Sequence, residues 1–271
     1  MYVDPRVAHS RAKLLLTDHA VDPRVFDAKL KRILEEAMRQ AMRKGNGRRQ
    51  LRRQLDGWLA PTLEKHGFNV FAHDLPDGNI GVQARAIVAD PSYGVREIGY
   101  AMVLGSPEIR GGRTYFTVTP HAIARCMQRN RKLRLSEIRL ELVAATALAP
   151  VIFHVAMHSG WYQAAIPTPA GMFVGEFSRG NGLVMRTYIQ PGASGRRSRW
   201  EAVLEALPRM PPECATIGDA AIIEYKDTVI RWLDENLEEF SRSVAFLREP
   251  YERGDDPQGA LWNAAMTAAA A

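Results

Sequence analysis

Residues 119–129 carry side chains suited to acid–base and phosphate-binding chemistry on one side of a predicted helix. Thr119-Pro120 is typical of a helix start, because threonine caps the first turn and proline fits the first helical position. Histidine titrates near neutrality, whereas arginine stays charged and can hold a phosphate through two parallel hydrogen bonds. The alternative is the solvated polar side of a half-buried helix. At about 100° per residue, four polar side chains fall within an arc of about 100°: His121, Arg125, Gln128 and Arg129.

A second group of polar residues lies in the predicted strand 182–189. Strand alternation places Arg186 and Tyr188 on one face and Thr187 on the other. If the first face turns toward the helix, the site combines a histidine, arginines and a phenol. Such groups can deprotonate a 2′-hydroxyl, stabilise a pentacoordinate phosphorus and protonate the leaving 5′-oxygen without a metal. The alternative is a strand that uses these residues for packing and solubility.

These segments together resemble a family of bacterial RNases. A strand, the helix His-Ala-x-x-Arg-x-x-Gln-Arg and a closing strand Leu-Val-Met-Arg-Thr-Tyr-Ile follow one another over residues 113–190. This order is similar to that of the BECR superfamily, the RelE-like and colicin-like RNase toxins.

The resemblance implies a small α+β fold with a curved antiparallel sheet and metal-independent cleavage of RNA. It assigns His121 as the general acid/base, and Arg125 and Arg186 as phosphate clamps. Thr187 or Tyr188 would be a supporting hydrogen-bond donor.

The charge distribution favours RNA or another polyanion as a partner. The chain has a net charge of +6, but residues 1–200 hold 30 Lys/Arg against 16 Asp/Glu, and residues 201–271 hold 6 against 14. A cationic surface gains free energy from counterion release when it meets phosphates. The alternative is a basic chain without a specific partner. Beyond the catalytic set, the predicted nucleic-acid contacts are Gln128, Arg129, Arg131, Lys132, Arg196 and Arg197.

Hydrophobic periodicity predicts an α+β protein with an antiparallel sheet between helical segments. A basic helical segment is expected over residues 1–67, with helices on both sides of residues 45–47. An α+β core domain is expected over 68–190, with hairpin turns near 76–78 and 181–182. Its predicted helices begin near residues 121 and 136, and the second stops near Pro150.

The acidic segment 191–271 is predicted to contain one long helix of about 28 residues that ends at Pro250. Its apolar stripe must be covered, so we expect it to pack on the core and partly shield the polyanion site. The alternative is that this helix docks a second chain, such as an inhibitor or a partner protein.

Several other kinds of site are disfavoured. The sequence has no P-loop, dinucleotide-binding or nucleophile-elbow motif. His154 and His158 are one helical turn apart but lack a third ligand nearby, and Cys126 and Cys214 are too far apart in sequence for a zinc knuckle. Neither a metal nor a cofactor is therefore predicted. Three carboxylates could form an acid–base pair, but nothing in the sequence fixes their separation: Glu97, Glu108 and Glu176.

The composition is that of a globular chain, with 46% hydrophobic and 24% charged residues. The apolar stretch 142–157 is interrupted by polar residues and proline, so neither a membrane span nor a membrane partner is expected. The N-terminus lacks the features of a secretory signal, which predicts a cytoplasmic protein, although an effector exported without a cleaved signal would look the same.

The leading hypothesis is a metal-independent endoribonuclease of the toxin type. The alternative is a non-catalytic nucleic-acid-binding or assembly module of phage or plasmid type.

Overall fold

A computed structural model describes residues 3–18, 23–42, 47–75, 79–104, 109–178, 182–190, 200–208 and 219–249. Its helices are α1 (Pro5–Asp18), α2 (Pro23–Met42), α3 (Arg48–Gln54), α4 (Ala60–Lys65), α5 (Pro120–Asn130), α6 (Leu135–Ser159), α7 (Glu201–Ala206) and α8 (Asp219–Ser243). A π-helical turn, Leu55–Leu59, joins α3 to α4, and a 3₁₀ turn, Ala245–Arg248, follows α8. The strands are β1 (Asn69–Asp74), β2 (Ile80–Asp90), β3 (Gly94–Leu104), β4 (Ile109–Val118), β5 (Gln163–Thr168), β6 (Gly171–Ser178) and β7 (Gly182–Ile189).

The strands form one mostly antiparallel sheet, in the order β1-β2-β3-β4-β7-β6-β5. All neighbours are antiparallel except β4 and β7, which pair in parallel. The parallel pair requires a crossover connection, which α5, α6 and the β5–β6 hairpin supply. The predicted α+β class is therefore confirmed.

The sheet carries two separate hydrophobic cores. One core joins α2, α3 and α4 to β1, β2 and β3; the alternating β2 residues Ile80, Val82, Ala84, Ala86 and Val88 all face it. The second core joins α1, α5, α6 and α8 to the β4–β7 half of the sheet. Helix α1, which the sequence pattern did not predict, thus packs with α5 in the second core.

The predicted end of α6 at Pro150 is wrong, because the helix continues to Ser159. Proline removes one backbone donor and crowds the preceding turn, which favours a break in an isolated helix. Here Ala149, Ile152 and Ala156 on both sides of Pro150 are buried in the same core. Their packing outweighs the local cost of the proline.

Other predicted elements agree with the structure to within a few residues. The antiparallel β1–β2 and β6–β7 pairs confirm the two predicted hairpins, although most of their turn residues, 76–78 and 179–181, lie outside the described residues. Strand β5 was not predicted. Helix α8 is 25 residues long and ends at Ser243, before the predicted end at Pro250. Arg196, Arg197 and Glu108 also lie outside the described residues.

Helix α8 packs on the core as predicted. Tyr225, Val229, Leu233 and Phe240 are buried in the second core, and the helix lies against α6 and α7. Its carboxylates Asp234, Glu235, Glu238 and Glu239 are exposed. The shielding of a polyanion site by these carboxylates stays a prediction.

Within the described residues, one helix is long and apolar enough to cross a membrane, judged by length and composition alone. It is Ser136–Ser159, and half of its most apolar window is buried inside the fold. Core helices of globular proteins pass the same test, so the location of this protein in the cell stays a prediction.

Candidate nucleic-acid interface

Helix α5 forms where the sequence predicts it, and its ends show why. The Thr119 hydroxyl accepts a hydrogen bond from the Ala122 backbone N–H at 3.2 Å, and Pro120 occupies the first helical turn. At the other end, Arg131 adopts a left-handed conformation with φ of 56°. The apolar side of α5 is buried: Ala122, Ile123, Ala124, Cys126 and Met127.

The opposite side of α5 is the predicted polar face. His121 and Arg129 are exposed, whereas Arg125 and Gln128 are half-buried. The Arg125 guanidinium donates a hydrogen bond of 2.8 Å to the Gln128 side-chain oxygen. The four residues therefore share one accessible surface, as their spacing predicts.

Basic residues continue past the end of α5 into the start of α6. Glu137 is the one acidic residue in the segment 121–140. Its side-chain oxygen accepts hydrogen bonds from the backbone N–H groups of Leu133 and Arg134. Within the described part of the chain, Arg129, Arg131 and Lys132 form no ion pair. The cations of this segment are exposed, except for the half-buried Arg125, and we call them the α5–α6 basic face: Arg125, Arg129, Arg131, Lys132, Arg134 and Arg139.

A bulge in β7 separates two residues that were predicted to share a face. On β6, Phe173 pairs with Tyr188, and Glu176 pairs with Val184, but one extra β7 residue lies between these pairs. Phe173 and Glu176 are three residues apart in a regular strand, so their side chains point to opposite faces of the sheet. Tyr188 stacks edge-on against Phe173, at 5.0 Å between ring centroids.

The Arg186 side chain lies on the sheet face that carries Glu176, opposite the face that carries Tyr188. Its guanidinium forms a half-buried ion pair and hydrogen bond with the Glu176 carboxylate. Thr187 pairs with Val174, two residues from Glu176, and is half-buried on that same face. The prediction that Arg186 and Tyr188 act on one face is therefore wrong, because simple alternation fails at a β-bulge.

Tyr188 lies in a closed polar network beneath α5 and α6. Its ring is 2% exposed, and its hydroxyl donates a 2.9 Å hydrogen bond to Glu141. The Asn130 side-chain amide donates to the same hydroxyl at 3.3 Å, and the Thr168 hydroxyl lies 3.4 Å away. Burial, with the nearby Glu141 carboxyl, raises the pKa of Tyr188. This phenol holds α5, α6 and β5 together and is closed to a substrate.

The structure therefore does not bring the five predicted catalytic residues into one site. Helix α5 packs on the face of β7 that carries Tyr188, as the Asn130–Tyr188 contact shows. Arg186 and Thr187 lie on the opposite face. Only His121 and Arg125 share an accessible surface.

Cys126, like Tyr188, is closed to solvent. It is fully buried, and its sulfur accepts a 3.5 Å hydrogen bond from Asn130. Burial raises the pKa of the Cys126 thiol, and the Glu141 carboxyl adds to the rise.

We expect Cys126 to resist thiol reagents in the folded protein, because the reactive thiolate is disfavoured and shielded. The measurement is labelling of a Cys214→Ser variant with a chromogenic disulfide at neutral pH, before and after unfolding in guanidinium chloride. Stoichiometric labelling of the folded variant would contradict this expectation.

The candidate carboxylates are also separated. Glu97 lies on β3 beside Arg85 of β2, at 3.7 Å, whereas Glu176 pairs with Arg186. The rings of His154 and His158 are 4.3 Å apart and exposed. In the part of the chain that the structure describes, no group of three or more His, Cys, Asp or Glu side chains could hold a metal ion.

Sequence reasoning missed a second polar surface on β1, β2 and β3. Phe71, Gln83, Arg85, Ile87 and Glu97 occupy the sheet face opposite α2–α4, and we call this set the open face. Burial raises the pKa of Glu97, and the Arg85 charge opposes this rise. The sequence did contain a signal for this surface, because Gln83 and Arg85 alternate with the apolar residues of β2.

Comparison with protein-family models, with curated proteins and with solved structures gives no match to this chain. The BECR resemblance therefore stays a prediction, and the functional argument depends on the side chains themselves.

Proposed function

We propose that this protein binds single-stranded RNA through the α5–α6 basic face. The observation that carries the proposal is the arrangement of cations there: six Lys/Arg within residues 121–140, against one carboxylate that caps a helix. An RNA strand carries phosphates at regular spacing, and each phosphate that meets a cation releases counterions.

Neighbouring elements support this assignment. Helix α1 packs on α5, and its own basic residues Arg6, Arg11 and Lys13 are exposed. The acidic helix α8 packs on α6 and α7 instead. Helix α1 therefore adds exposed cations to an element that contacts α5.

Binding, and not cleavage, is the function that this geometry favours. Metal-free cleavage requires an acid, a base and a phosphate clamp around one phosphorus atom. Arg186 is ion-paired on the other face of the sheet from α5, and Tyr188 is buried. Ribonuclease activity remains a prediction.

The test of the proposal is the salt dependence of RNA binding by the full chain. We expect the logarithm of the affinity to fall linearly with the logarithm of salt concentration, with a slope of about −0.7 for each phosphate contacted. Arg129→Ala should make the slope shallower by about 0.7. The matched control is Arg231→Ala on α8, where Arg231 is also exposed. A slope near zero, or equal changes in the two variants, would contradict the proposal.

A further inference from the structure

The open face exposes its large apolar side chains, although Glu97 on the same face is buried and the opposite side of the sheet is covered. Phe71 is 52% exposed and Ile87 is 48% exposed. The residues that alternate with them on β2, such as Val82 and Ala84, are buried against α2–α4. In antiparallel sheets, one covered and one solvated face are common, but an exposed phenylalanine is a large apolar group to leave in water.

Arg85 joins the members of the open face. Its guanidinium carbon lies 5.4 Å from the centroid of the Phe71 ring, within the range of a cation–π contact. One of its N–H groups donates a 3.0 Å hydrogen bond to the Gln83 side-chain oxygen. Another nitrogen lies 3.7 Å from the Oε1 oxygen of Glu97 and forms an ion pair with that carboxylate.

Glu97 has unused hydrogen-bonding capacity. The residue is 6% exposed, and among the described residues its second carboxylate oxygen, Oε2, has no hydrogen-bond partner. A buried acceptor without a donor costs free energy that a bound N–H group recovers. Within the described residues, the missing donor of Glu97 is thus an observation that points to a ligand.

The strand positions beside Glu97 are small or basic in sequence. Gly99 and Ala101 follow it on the same face of β3. Backbone register pairs Gly99 with Arg113 and Ala101 with Arg110 on β4. This row of β3 therefore carries small side chains beside Glu97.

We propose that the open face binds an unpaired guanine of the RNA, stacked beside Phe71 and Arg85 and hydrogen-bonded to Glu97. Phe71 and Arg85 offer flat surfaces of the kind on which bases stack in single-stranded RNA complexes. The Watson–Crick edge of guanine presents two adjacent N–H donors, N1–H and N2–H, and a carboxylate accepts both. Arg85 contacts both Phe71 and Glu97, which keeps the stacking surface and the acceptor within reach of one nucleotide. This proposal rests on the RNA binding proposed above.

The experiment compares two labelled RNAs of about ten nucleotides, within the range of a single-strand site. Both contain only A and U, except for one central G in the first and inosine in the second. Inosine lacks the N2 amino group, so the full chain should bind the guanosine RNA about tenfold more tightly, the effect of one hydrogen bond to a charged group.

Variants assign this preference to the open face. Glu97→Gln should bind the two RNAs about equally, and Phe71→Ala should weaken both about tenfold through lost stacking. Ile87→Ala, an exposed neighbour on the same face, should change neither affinity. Thermal unfolding of each variant reports whether it is folded, and the guanosine–inosine comparison in the unmodified chain needs no variant at all.

Equal binding of the two RNAs by the unmodified chain would overturn this proposal. So would a guanosine preference that a folded Glu97→Gln variant retains. If Arg129→Ala still weakens both RNAs in either case, the proposed function stands and only the guanine site is wrong. If the unmodified chain binds neither RNA, both proposals are wrong.

Discussion

Replacing Tyr188 with alanine is expected to destabilise the protein by about 3–5 kcal/mol, the usual effect of removing a buried aromatic ring from a core. The ring packs against Phe173, and its hydroxyl joins α5, α6 and β5 through Asn130, Glu141 and Thr168. The measurement is the free energy of unfolding in urea. A loss below about 1 kcal/mol would show that this network does not hold the helices on the sheet.

The conservative variant Tyr188→Phe separates packing from polarity. It keeps the ring but removes the hydroxyl that donates to Glu141, whose remaining donor is the Ala170 backbone N–H at 3.4 Å. The free energy of unfolding should therefore fall by about 1–3 kcal/mol. RNA affinity of the folded variant should not change, because the hydroxyl is buried. A loss of RNA affinity or RNA cleavage with unchanged stability would place this hydroxyl at the substrate, as the BECR resemblance implies.

Neutralising the α5–α6 basic face should produce the largest change in RNA affinity. In a variant with Arg125→Gln, Arg129→Gln, Arg131→Asn and Lys132→Gln, the salt slope should become shallower by up to about 3, at about 0.7 for each lost phosphate contact. Affinity at low salt should fall by at least about a hundredfold, or roughly 2.8 kcal/mol. Asparagine is chosen at 131 because this residue has φ of 56°, a conformation that asparagine tolerates better than alanine.

The matched control removes the same charge elsewhere. Lys226, Arg231, Arg242 and Arg248 lie on α8 and the turn after it, and their replacement by glutamine also lowers the net charge by four. This control should bind RNA nearly as well as the unmodified chain. If both variants lose affinity equally, binding reflects net charge alone and the α5–α6 basic face is not the site.

Local signals in the sequence predicted α5 well. Thr119, Pro120 and the apolar spacing all favour one helix, and that helix packs with its apolar side inward, as the pattern requires. The signals fail where contacts distant in sequence decide the outcome. Pro150 is tolerated because the core on both sides of it is filled, and strand β5 is added to a sheet edge by pairing with β6.

The candidate site could be predicted only where it lies on one regular element. The polar face of α5 follows from helical geometry within eleven residues. The second half of the predicted site depended on regular alternation in β7. One extra residue in that strand places Arg186 and Tyr188 on opposite faces of the sheet. The open face combines residues of β1, β2 and β3, and their contact depends on strand register, which a single sequence does not reveal.

RNA integrity during binding is the measurement that tests the central claim most directly. The full chain is mixed with labelled single-stranded RNA in EDTA, and one sample is read for both binding and strand cleavage. We expect the RNA to bind and to stay intact, and we expect His121→Ala to change the affinity by no more than about threefold, or roughly 0.65 kcal/mol. Cleavage in EDTA that disappears in His121→Ala would contradict this account and establish the ribonuclease mechanism instead.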